Sequence, residues 1–134
     1  MIVVDSSVWI DHLNGRLTAA VAILHRLLTD SQEIIAIGDI ILYEVLSGLR
    51  SDRAVADVRF LLGSLTPAQM LGFDLVHAAV DNYRSLRARG VTVNPADTFI
   101  ATYCLETRAQ LLTSDRDFLP IRDHLGLQLV PTTS

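Results

Sequence analysis

The chain opens on Met1-Ile2-Val3-Val4, runs straight into Asp5-Ser6-Ser7, and continues as Val8-Trp9-Ile10-Asp11. A continuous apolar run with two β-branched valines suits a strand covered on both faces, and such strands belong to parallel sheets. Asp5 is thereby expected at the C-terminal end of a central strand. That edge is where open α/β sheets bind ligands. Two readings of Asp5 stay open at this point. With Ser6 and Ser7 it can cap the following helix, or its carboxylate can serve a ligand.

The rest of the chain alternates in the same way. Ser7 to Leu13 reads as a short helix, and Asn14-Gly15 as a turn. Arg16 to Thr29 carries Leu17, Ala20, Val21, Leu24, Leu27 and Leu28 at helical spacing. Glu33 to Ile37 is a second buried strand, Gly38 to Leu49 a helix apolar almost all round, and Ser51 to Leu62 another helix. Pro67 to Gly72 reads as a short strand, and Phe73 to Arg89 as a long helix stopped by Gly90. Asn94-Pro95 opens a helix running to about Thr107, Gln110 to Thr113 is a strand, and Gln128 to Val130 a short final one. Strands separated by helices or helix pairs mean an α/β fold with a mainly parallel sheet.

At 134 residues, half of them hydrophobic, the chain suits one domain with one core, spanning 1–134. No apolar run approaches the ~20 residues needed to cross a bilayer, and nothing resembles a signal peptide. A cytoplasmic protein is expected. Cys104, the single cysteine, reads as a buried thiol. A net charge of −4 argues against a broad basic face for nucleic acid, though not against a local basic rim. All eleven cations are arginine. Without lysine, a phosphate-binding P-loop and a Schiff base are both excluded.

Four acids occupy unusual contexts. Asp5 ends the first strand, Glu44 is a lone charge within an apolar helix, Asp97 lies in a helix's first turn, and Asp115 follows the Leu111-Leu112 strand. If the first and fourth strands are neighbours, Asp5 and Asp115 emerge side by side. Carboxylates converging in one crevice repel one another, and one protonates unless a cation shares the site. Mg²⁺ or Mn²⁺, with oxygen ligands, is the natural solution. Such an ion also makes an acidic site compatible with a polyanionic substrate.

Each acid has a plainer alternative. Glu44 can reach solvent or pair with an arginine. Asp97 stands at N3 after an Asn94 cap, where it favours the helix dipole, yet Ala101 and Cys104 share its face. Asp115 and Asp117 can be turn and cap residues. Asp117 is the weaker member of that pair, placed at the rim. Ser6 either bonds a ligating carboxylate or caps the helix. Asp11, Asp39 and Glu106 read as helix-end or solvated acids. His12, His25, His77 and His124 share no metal spacing, and neither a G-x-S-x-G nor a G-x-G-x-x-G motif is present.

These motifs resemble those of the PIN-domain ribonucleases, and more narrowly the VapC toxins of bacterial toxin–antitoxin pairs. The resemblance rests on Val3-Val4-Asp5-Ser6-Ser7-Val8-Trp9-Ile10-Asp11, then Tyr43-Glu44-Val45-Leu46-Ser47-Gly48. It continues with Asn94-Pro95-Ala96-Asp97-Thr98-Phe99-Ile100-Ala101 and Leu112-Thr113-Ser114-Asp115-Arg116-Asp117-Phe118. It implies a three-layer α/β/α sandwich with a parallel sheet of about five strands in the order 3-2-1-4-5. It implies a Mg²⁺- or Mn²⁺-dependent endoribonuclease in which Asp5, Glu44, Asp97 and Asp115 form the acidic quartet, with Asp117 accessory. Metal-activated water would attack the phosphodiester in line, leaving a 5′-phosphate and a 3′-hydroxyl.

The resemblance also implies partners: RNA, with transfer RNA a family-level expectation, a small cognate antitoxin laid across an apolar groove, and a second copy in a homodimer. Arg16, Arg84, Arg87, Arg89 and Arg116 are candidates to grip phosphates. Arg116 stands out, lying between two site acids. A competing reading from a different class is a non-catalytic partner-binding module whose acids are structural caps. A phosphoacceptor using Asp5 is disfavoured, because lysine is absent and Ser7 stands where a second acid is expected.

Overall fold

The computed structural model describes residues 1–132, so Thr133 and Ser134, the end of the expected domain, lie outside the described residues. The opening run is β1 (Ile2–Val4), every residue of it buried. It is followed by α1 (Ser6–Leu13), α2 (Ala19–Asp30), β2 (Ile35–Gly38), α3 (Asp39–Ser47) and α4 (Asp52–Leu62). Then come β3 (Thr66–Ala68), α5 (Phe73–Ala88), α6 (Pro95–Thr107), β4 (Gln110–Leu112), a single 3₁₀ turn at Arg116–Phe118, and α7 (Leu119–Leu125).

The strands form a parallel sheet in the order β3-β2-β1-β4, which puts β1 between β2 and β4. Two groups of helices flank it. In one, α1 packs on α2 and α3, and α3 on α4; in the other, α5 packs on α6 and α7. One continuous core joins Val3, Val4, Leu24, Ile41, Ile100 and Leu111, all fully or almost fully buried. Among the described residues no helix is long and apolar enough to cross a membrane.

The sheet has four strands among the described residues rather than about five. The expected final strand at Gln128 to Val130 makes one parallel bridge, Leu111 to Leu129. It holds through Leu111 N donating to Gln128 O at 2.9 Å and Val130 N donating to Leu111 O at 2.9 Å. Among the described residues the pairing is confined to this one bridge. The order 3-2-1-4 is kept, with that segment on the outer side of β4.

Other boundaries shift for local reasons. Thr18 caps α2, its hydroxyl accepting from Val21 N at 3.0 Å, so the helix begins after Leu17, which is 89% exposed and outside the apolar stripe. Gly38 closes β2 and caps α3. A Cβ there would run into the side chain of Met70, which is fully buried. Asp39, the helix-end acid, fastens the segment after β3, its carboxylate accepting from Met70 N at 2.9 Å and Leu71 N at 3.3 Å. β3 consequently ends at Ala68, short of Gly72.

Candidate metal centre

The register of the sheet builds the centre. Val4 sits beside Leu112, and Asp5 N donates to Leu112 O at 2.9 Å, so the chain emerges from β1 and β4 with Asp5 beside Thr113. Thr113 Oγ1 donates to Asp5 Oδ2 at 2.9 Å, and Ser7 Oγ donates to the same oxygen at 2.7 Å. Asp5 is the N-cap residue of α1 by backbone conformation, yet its carboxylate makes no capping hydrogen bond. The side chain instead faces the sheet edge and is 3% exposed. Burial raises its pKa. The Ser7 and Thr113 hydroxyls oppose the rise, as do the amides of Ser7 and Ser6, although neither amide closes a capping bond of full geometry.

Asp97 reaches the same edge from α6. Asn94 Oδ1 accepts from Asp97 N at 2.8 Å, and Asn94 Nδ2 donates to Asp97 Oδ2 at 3.0 Å. This reciprocal cap starts the helix, with Pro95 in its first turn. Both readings of Asp97 therefore hold together: it is the N3 acid of a capped helix, and it is buried on the inward face with Ala101 and Cys104. Its pKa is pushed from 3.8 to about 6, first by burial, then by the charges of Asp5 and Asp115; Asn94 opposes this and Glu44 adds to it.

Glu44 projects from α3, where Ile41 and Val45 anchor the buried side. Its Oε1 is buried with no hydrogen-bond partner among the described residues. Burial raises its pKa most, Asp5 adds to the rise, the nearby Ser6 hydroxyl opposes it, and Asp115 adds again. Ser6 does not serve Oε1, and it is Ser7, not Ser6, that bonds Asp5. Asp115 caps the 3₁₀ turn, its Oδ1 accepting from Asp117 N at 2.9 Å while its own amide donates to Thr113 Oγ1 at 3.0 Å. Carboxylate oxygens of Asp97, Asp115 and Asp117 all lie within 4.8 Å of one another.

The expected quartet is thus brought to one edge in two parts. Asp97 and Asp115 join Asp117, which is exposed at the rim, in a trio of carboxylates. Asp5 and Glu44 stand behind the trio, coupled to it by charge. Ser7 and Thr113 are the contributors that sequence reasoning missed. Their signal was the hydroxyl two residues after Asp5 and the one two residues before Asp115. Arg116 lines a cleft of about 170 Å³ with Asn94, Asp97 and Asp117. Of the other candidate cations, Arg16 pairs with Asp11 at 3.3 Å, and Arg89 donates to His124 O at 3.0 Å. Cys104 is buried, its thiol pushed up to about 12 mainly by that burial. His12 and His25, which share no metal spacing in the sequence, bond each other at 3.0 Å between α1 and α2.

The donor set is all oxygen, the charges repel one another, and Glu44 Oε1 lacks a partner among the described residues. These features fit a hard divalent cation and do not fit a soft or neutral ligand. An α/β fold with a carboxylate cluster at the C-terminal edge of its central strands defines a class of metal-competent site. Comparison with known proteins names the family. The PIN-domain model matches residues 2–123, and the chain belongs to the PIN-domain family. Ribonuclease VapC11 of Mycobacterium tuberculosis is 29% identical over 129 residues, covering 96% of each chain. Two solved structures share the fold. VapBC2 from Rickettsia felis, bound to a DNA fragment from its promoter, has a TM-score of 0.77 at 18% identity, over 97% of this chain and 98% of that one. VapBC-1 from nontypeable Haemophilus influenzae has a TM-score of 0.75 at 19% identity, over 100% of both chains.

Proposed function

We propose that this protein, as a single domain over 1–134, is a metal-dependent endoribonuclease and the toxin of a bacterial toxin–antitoxin pair, acting in the cytoplasm. The observation that carries the reading is the convergence of carboxylates at the sheet edge, where oxygens of Asp97, Asp115 and Asp117 all lie within 4.8 Å of one another. A cluster that repels itself in this way is completed by a cation. Asp97, Asp115 and Asp117 would hold Mg²⁺ or Mn²⁺, with Asp5 and Glu44 behind them as members of the catalytic set. When bound, such an ion neutralises phosphate charge and lowers the pKa of water.

The chain's own residues do the remaining work. Ser7 and Thr113 fix one oxygen of Asp5, and Asn94 fixes one oxygen of Asp97. Two acids are thereby oriented before any ligand arrives, as positioned hydrogen-bond partners do around metal ligands. Arg116 has no ion pair or hydrogen bond to a described side chain, although acids stand on both sides of it. It is available to a phosphodiester. RNA is the substrate in this reading, with transfer RNA among the candidates and a 5′-phosphate and 3′-hydroxyl as products.

The antitoxin reading is supported by the named relatives and by an apolar groove between α1, α2 and α4. Trp9, Leu13, Leu28, Leu61 and Leu62 line it, and Phe60 beside it is 87% exposed. A second apolar hollow, of about 320 Å³ between α5 and α6, supports a homodimer. The rival reading, in which the acids are only caps, has no account of Asp5, whose side chain caps nothing.

The test is cleavage of RNA by the purified protein with and without a chelator, beside Asp5→Asn. Cutting that needs Mg²⁺ or Mn²⁺ and is lost in Asp5→Asn, with folding retained, is the expected result. No cutting, together with a melting temperature indifferent to divalent ions, favours the cap-only binding module.

A further inference from the structure

A second cleft, of about 470 Å³, opens on the other side of Asp115, between the end of β4 and α7. Thr113, Ser114, Asp115, Arg116 and Arg122 line its polar side, and its apolar wall includes Leu129 and Val130. Its size falls within the roughly 300–1,000 Å³ of sites that hold small organic ligands. Arg116 borders both this cleft and the smaller one that holds Asp97 and Asp117, so the two meet across the acid trio.

The chemistry of the second cleft is not that of a metal site. It offers two guanidinium groups, hydroxyls and an apolar wall. Arg122 bonds Asp123 through Nε at 3.0 Å, and its terminal amino groups take no partner among the described residues. Arg116 likewise has no ion pair among the described residues. Arg116 and the terminal amino groups of Arg122 thus offer this cleft guanidinium donors that no described side chain takes up. Guanidinium groups suit phosphate oxygens in bidentate geometry, and an apolar wall suits the face of a base or a ribose.

We propose that this cleft binds the nucleotide adjoining the one at the acid trio, with Arg116 and Arg122 on consecutive backbone phosphates. A single strand would then run from the Asn94–Asp97 cleft, over Asp115, and along β4 and α7. Arg122, which the sequence motifs do not mark, becomes a substrate-binding residue. This extends the nuclease reading of the same site by giving the strand its path.

Binding of a fluorescein-labelled single-stranded RNA, followed by fluorescence anisotropy in Ca²⁺ across a salt series, tests it. Each phosphate contact on a single strand contributes about −0.7 to the slope of log K against log salt. Arg122→Gln and Arg122→Ala should each bind more weakly than wild type, with a slope shallower by about 0.7. Arg53→Ala, which removes an equal charge from an exposed pair with Asp57 on α4, should leave the slope unchanged. Equal slopes in Arg122→Gln, Arg122→Ala, Arg53→Ala and wild type, or no RNA binding at all, overturn the proposal. Wild type that binds with the expected slope difference but never cuts in Mg²⁺ or Mn²⁺ upholds the track and removes the nuclease reading instead.

Discussion

Asp97→Asn should stabilise the metal-free protein at alkaline pH while abolishing its response to metal. The Asp97 carboxyl is raised from 3.8 to about 6, first by burial and then by Asp5 and Asp115. A group with a raised folded pKa contributes stability that is fully present below its unfolded pKa, near 4. That contribution is lost as pH rises through about 6. Above this the folded protein must carry a buried, repelled charge. At 1.36 kcal/mol per pKa unit the full shift corresponds to about 3 kcal/mol, and screening by water and ions reduces it to roughly 2 kcal/mol.

Asparagine removes the charge and keeps an oxygen for Asn94 Nδ2, which now bonds Asp97 Oδ2 at 3.0 Å. Losing a negative charge near the start of α6 costs about 0.5 kcal/mol. The balance is about 1.5 kcal/mol, or ~6 °C in Tm at ~4 °C per kcal/mol. Thermal unfolding with a chelator should therefore show Asp97→Asn melting ~6 °C above wild type at pH 8 and no higher than wild type at pH 4.5. With saturating Mg²⁺ or Mn²⁺ the wild type should overtake it, since a ligand of the folded state stabilises by mass action. A variant that is equally or less stable than wild type at pH 8 in chelator would refute the claim that these carboxylates oppose one another.

Thr113→Val removes the hydroxyl that donates to Asp5 and accepts from the Asp115 amide. Mn²⁺ affinity by calorimetry should fall roughly tenfold or more, as for other partners of metal ligands, and Asp5 should titrate higher still. Gly38→Ala drives a Cβ into Met70 and should cost about 1–3 kcal/mol in urea unfolding, partly recovered by adding Met70→Ala. Thr18→Ala removes the α2 cap and should cost about 1 kcal/mol by the same measurement.

The parts of the fold that could be read from the chain were those written in local chemistry. Ile2–Val4 is apolar without interruption because both faces are covered, and Asn94-Pro95 states a helix start that the structure repeats atom for atom. Asp97 was legible because a cap and an apolar face coincide on it. Glu44 was legible because nothing else charged lies on the buried stretch of α3. What local chemistry could not carry was register. Thr113 meets Asp5 only because Val4 pairs with Leu112, a partnership 108 residues apart in sequence. The same holds for Asp117, whose place beside Asp97 depends on how the 3₁₀ turn lies against α6. The last strand was overread because Gln128 to Val130 has strand-like residues, yet the segment makes a single bridge to Leu111 rather than a ladder.

The most direct measurement is the rate of RNA cleavage against Mg²⁺ or Mn²⁺ concentration, in wild type and Asp97→Asn, starting from chelator-stripped protein. The acidic centre predicts no cleavage without metal, a saturable rise in the wild type, and no rise in a folded Asp97→Asn. Cleavage that persists undiminished in chelator, or that Asp97→Asn retains in full, would contradict it.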